Sequence, residues 1–209
     1  MRRRTFDLLA SCIGALLTVV LLVAGGLLMW GYTYTTSNVH DQLAAQKIYF
    51  PPKAAFANPQ VGTEITPAMI PSVSQYAGQQ LLTAAQAQVY ANDFIGQHLI
   101  NIGGGKTYSE VSAAAMALPA NSPQRAALEA QAQTLFQGNT LRGLLLEAYG
   151  FGTMGQIALI ASIASFILAG LMFVLTMFGF LHFRKVDEQT ELLAKAKSEP
   201  MGDKEPALV

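Results

Sequence analysis

Two long apolar runs without charge constrain this chain more than any other feature. Leu8 to Trp30 and Ile157 to Leu181 contain no Asp, Glu, Lys, Arg or His. About 20 apolar residues at about 1.5 Å rise cover a hydrocarbon core of about 30 Å, so each run can cross a bilayer as a helix. With 52% hydrophobic and only 12% charged residues, the 209-residue chain has too little charge for general disorder. The expected fold class is therefore an all-α membrane protein, with two transmembrane helices and an extracytoplasmic bundle of about four to five helices.

Basic residues set the expected orientation. Arg2, Arg3 and Arg4 precede the first run, and Arg184 and Lys185 follow the second, whereas Lys47, Lys53, Lys106, Arg125 and Arg142 are scattered between them. Basic residues flanking a span resist translocation, which places both termini in the cytoplasm of a multi-pass plasma-membrane protein. Trp30, Tyr32 and Tyr34 at one edge, and Tyr149 with Phe151 before the second run, suit the outer interface. The expected boundaries are a cytoplasmic N-terminus 1–7, a first span 8–30, an outer domain 31–156, a second span 157–181 and a cytoplasmic tail 182–209. The tail is expected to be disordered from about 198, after a helical extension over 186–197.

The start of the chain resembles a secretory signal, and Leu9-Ala10-Ser11-Cys12 matches the residue types of a lipoprotein cleavage box. However, the long apolar run follows Cys12 rather than preceding it, so an uncleaved span is expected. Cys12 is the only cysteine, so no intramolecular disulfide can staple the outer domain.

Between the spans, Ser37 and Asn38 offer caps for a stalk helix through Val39, Leu43 and Ile48, which Pro51-Pro52 ends. Five prolines at 51, 52, 59, 67 and 71 predict an extended surface segment over 51–71 without regular structure. Helical spacing of Val73, Ala77, Leu81, Ala84, Gln88, Ala91, Ile95, Leu99 and Ile102 predicts one long helix, ended by Gly103-Gly104-Gly105. Thr107 and Glu110 form a capping box for a short helix to about Leu118. Ser122-Pro123 opens another helix, expected to stop at Gly138-Asn139, and Thr140 caps a last one. Gly150, Gly152 and Gly155 are expected to form a joint. With many Ala and Gln, the core is expected to be thin.

Chemistry-bearing motifs are sparse. Gly105-Lys106-Thr107 ends like a phosphate-binding loop, but the first glycine of that motif would fall at Ile100, so a helix cap is the expected role. His40, His98 and His182 are far apart in sequence and form no metal-ligand spacing. There is no Gly-x-Ser-x-Gly elbow, and the ion-free spans lack the ionisable groups of a transport path. No enzyme activity, catalytic residue, metal or cofactor is expected. The zero formal charge provides no basic field for nucleic acid. Small residues at helical spacing in the second run, Ala158, Ala161, Ser162, Ser165 and Ala169, form a candidate helix-packing face. That face could meet the first span of the same chain or another chain.

The stretch Val39-His40-Asp41-Gln42-Leu43-Ala44-Ala45-Gln46-Lys47-Ile48-Tyr49-Phe50-Pro51 resembles an uncharacterised family of actinobacterial two-span membrane proteins with a large extracytoplasmic helical domain. Gln75-Tyr76-Ala77, Tyr90 to Ile95, Thr107 to Ser112 and Thr140 to Leu146 look like the rest of its pattern. The resemblance implies topology and origin, and assigns no site residue. The expected function is that of a non-enzymatic accessory or scaffold protein in the membrane, with the lipid bilayer and a protein partner or second copy as its contacts. The alternative is a sensor or small-ligand-binding protein acting through a partner.

Overall fold

The computed structural model describes residues 3–60 and 64–185. The chain is all-α: among the described residues there is no strand, only an isolated antiparallel bridge between Tyr49 and Gln80. The expected helix over 186–197 and the disordered tail beyond it lie outside the described residues.

Two helices dominate, α1 over Arg3–Gln46 and α6 over Pro123–Lys185. Between them lie the short α2 (Ile70–Val73), α3 (Ala84–Val89), α4 (Gly96–Gly103) and α5 (Tyr108–Met116). A π-helical stretch, Tyr90–Ile95, joins α3 to α4. By contacts the chain divides into two compact units, one built from the residues up to Leu27 and from Ala161 onward, the other from Leu28–Ile160.

In the first unit the apolar runs are helical and long enough to cross a membrane. Only 17% of the most apolar window of each helix is buried. Leu16, Val23, Ile167, Leu171 and Phe178 turn large apolar side chains outward.

The Leu28–Ile160 unit has a larger core than its composition suggests. Leu43, Phe50, Met69, Val73, Leu81 and Leu145 are all 2% exposed or less. Phe50 is the hub: its ring lies 5.2 Å from that of Tyr76 and 5.1 Å edge-on from that of Tyr90, and Tyr90 continues to Phe94 at 4.7 Å. Burial pushes the Tyr90 phenol up, with the charge of Glu64 adding to the effect. A second cluster joins Val111 of α5 to Ala132 and Leu135 of α6, with Leu99 alongside.

The proline-rich segment is not the expected extended surface strap. Lys53–Phe56 and Pro67–Met69 form 3₁₀ turns, and Ile65 and Met69 of this segment are buried in the core. Proline presets the backbone angle these turns need, so the prolines punctuate rather than exclude helical structure.

The single helix expected over 73–102 is also broken. After a 3₁₀ turn at Ser74–Tyr76 the chain opens at Gly78 (φ +72°) and runs extended beside residues 48–51. The amide of Phe50 donates to the Gln79 carbonyl and that of Leu81 to the Ile48 carbonyl, both at 2.9 Å. Here long-range pairing outweighs helical periodicity. The helix restarts at a capping box, in which Thr83 Oγ1 accepts from the Gln86 amide while Gln86 Oε1 accepts from the Thr83 amide.

No separate stalk cap is used, since α1 continues to Gln46. It ends where Lys47 takes a left-handed conformation (φ 52°), before Pro51 is reached. Nor does the last helix restart at Thr140: α6 passes through Gly138, Asn139 and Gly150 to Gly155 without interruption.

Candidate functional site

The predicted packing face lies in the helix pair of the first unit. Ser162 is fully buried and its Oγ donates to the Gly25 carbonyl at 2.8 Å; Ser165 Oγ donates to the Leu21 carbonyl at 2.7 Å. Ala169 is buried on the same face, and Ala161 is half-buried beside it. Ala158, also half-buried, belongs to the Leu28–Ile160 unit.

On α1 the matching face is Ser11, Gly14, Thr18, Leu21 and Gly25, at alternating spacings of three and four. Small residues let the backbones approach closely. A Cβ on Gly14 would stand 2.5 Å from Thr176 Oγ1, one on Gly179 2.5 Å from Ser11 Oγ, and one on Gly25 3.0 Å from the Phe166 ring. The face therefore joins α6 to α1 of the same chain. The face on α1 is the half of this seam that sequence reasoning missed, although its three-and-four spacing was the signal.

Within Leu28–Ile160, α6 meets its neighbours through similar notches. Gly138 accommodates Leu99, with a Cβ there 2.5 Å from the leucine, while Gly152 sits against Ala84 and Gly155 against Thr35. Several clefts lie in this unit, and two of them adjoin these contacts. One, of about 350 Å³, is lined largely by apolar atoms of Val39, Leu82, Ala84, Tyr149 and Gly152, with Thr36, His40, Thr153 and Gln156 supplying polar groups.

The other cleft, of about 270 Å³, lies between the π-helical stretch, the start of α5 and α6, with Arg142 in its lining. Arg142 Nη2 donates to Asn92 Oδ1 at 2.9 Å, which ties α6 to the π-helical turn. A separation of 50 positions hides this pair from local pattern reading, and no short-range signal marks it.

The loop residues suspected of binding phosphate serve as a cap. Thr107 Oγ1 accepts from the Glu110 amide at 3.3 Å, and Glu110 Oε2 accepts from the Thr107 amide at 2.7 Å. The Thr107 amide, then its hydroxyl, hold the Glu110 carboxyl below its usual range, and Lys106 adds to that.

Structure does not bring the histidines together. His40 Nδ1 lies 3.3 Å from Asp41 Oδ1, His98 Nδ1 bonds the Phe94 carbonyl at 2.8 Å, and His182 Nε2 is 4.0 Å from Asp7 Oδ2. Among the described residues no three His, Cys, Asp or Glu side chains are grouped to hold a metal ion.

Comparison of the chain with protein-family models, with curated proteins and with solved structures finds no match.

Proposed function

We propose that this is a two-span integral membrane protein with both termini in the cytoplasm, whose outer helical bundle serves as a non-enzymatic docking scaffold for another envelope protein. The span reading is supported by the exposure of both apolar windows: so much outward-facing Leu, Ile, Val and Phe suits lipid and would leave a water-soluble protein prone to aggregation.

The observation that carries the scaffold reading is a stripe on α6. Phe136, Leu144 and Phe151, spaced by eight and seven residues, fall on one side of the helix and are 51%, 56% and 47% exposed. Gly143 and Gly150 flank them, and a Cβ at either would meet nothing within 4 Å. Apolar knobs beside bare backbone are what a partner helix needs for close approach.

Site-specific photocrosslinking in native membranes tests this. A photoreactive residue at Leu144 should give one major protein adduct, identified by mass spectrometry, that a probe at Lys53 does not give. Identical patterns from the two positions would refute the scaffold reading. The alternative, a small-ligand sensor acting through a partner, draws support from clefts in the Leu28–Ile160 unit such as those beside Tyr149 and Arg142.

A further inference from the structure

Arg142 is half-buried on α6, and two facts set its guanidinium apart from a solvated surface charge. One edge is committed to Asn92 Oδ1. Its Nε is buried and meets no acceptor, and the residue forms no ion pair among the described residues. Nε rests against the helix at Gly96, where even an added Cβ would be an ordinary 3.9 Å away. Leaving a buried charged donor without an acceptor is unfavourable, because its desolvation is not compensated.

Nε is closed to the cleft, so a ligand meets Arg142 at the amino end of its guanidinium, and the lining around that end is chemically one-sided. Lys106 and Asn139 offer further donors, Leu99, Ile100 and Leu135 supply apolar surface, Tyr108 adds a ring, and no Asp or Glu belongs to the lining. Glu110, the acid nearest the rim in sequence, is engaged with Thr107.

We propose that this cleft binds a small carboxylate-bearing molecule, its carboxylate on Arg142 and its carbon body against Leu99 and Leu135. A planar guanidinium matches a planar carboxylate, and a single charged hydrogen bond of this kind accounts for substantial affinity. Net local charge favours a monoanion over a phosphate, since Lys106 is exposed and already shares its field with Glu110. This inference rests on the outer unit alone and is independent of the scaffold reading.

Calorimetric titration of acetate and benzoate into the full-length protein in nanodiscs, at constant ionic strength, tests it. At least one of the two should bind saturably and more tightly than inorganic phosphate. Arg142→Gln should weaken binding about tenfold or more. Lys106→Glu, at an exposed position, should weaken it about threefold, and Lys53→Gln should leave it unchanged. The proposal fails if neither carboxylate binds, if phosphate binds more tightly, or if a helical, folded Arg142→Gln binds like the parent. Should Arg142→Gln not fold, Lys106→Glu decides, and an unaltered affinity there overturns the proposal.

Discussion

Phe50 shows how much one side chain can organise in a domain short of large apolar residues. It is 2% exposed and touches the rings of Tyr76 and Tyr90, so it joins the segment after α1 to the segments flanking α3. Truncation of a buried aromatic of this kind costs about 3–5 kcal/mol, since both transfer energy and a cavity are involved. Phe50→Ala should therefore lower the thermal midpoint of the Leu28–Ile160 unit sharply, whereas Tyr49→Ala, at a neighbour 58% exposed, should have little effect. Ser165 has a smaller part of this kind in the helix pair, through its bond to the Leu21 carbonyl. Ser165→Leu should force α6 away from α1 and destabilise the pair by about 1–3 kcal/mol, while Phe173→Leu, at a 56% exposed position, should not. Thermal denaturation in a single detergent separates the two outcomes, and equal midpoints would show that the seam contributes no stability.

The helices reveal why glycine misleads a reading of sequence alone. Gly138 looks like a terminator and is instead a notch for Leu99; Gly152 and Gly155 look like a joint and are notches for Ala84 and Thr35. A glycine that ends a helix and one that admits a neighbour differ only in tertiary context, which sequence does not carry. Cap chemistry is more legible. Thr107 and Glu110 mark the start of α5, and Ser122 Oγ accepts from the Arg125 amide at the start of α6, as their spacing suggests. Thr83 and Gln86 form the same signature, but the periodic alanines around them make a helix seem to pass straight through. Thr83→Ala should cost about 1 kcal/mol, read as faster hydrogen exchange at the first amides of α3. The α5 cap should respond to acid. Because the Glu110 pKa is lowered in the folded state, its contribution is complete above the ordinary carboxylate pKa and is lost as pH falls through the lowered one. Amide exchange at Val111 should then rise selectively in acid, and Glu110→Gln, which can still cap, should remove that pH dependence.

At the scale of the molecule, the two apolar helices and the all-α character were legible because charge-free runs of that length allow few alternatives. The buried proline-rich segment and the Arg142–Asn92 tie were not, because both depend on residues brought together across long stretches of chain. Central to the proposed function is that the two runs cross a bilayer with Leu28–Ile160 outside. The most direct measurement is labelling of single cysteines in intact cells with a membrane-impermeant maleimide, on a Cys12→Ala background. Asn58→Cys should label in intact cells, whereas Thr190→Cys should label only after the membrane is permeabilised. Labelling of Thr190→Cys in intact cells with protection of Asn58→Cys, or recovery of the protein in the soluble fraction, would contradict the account.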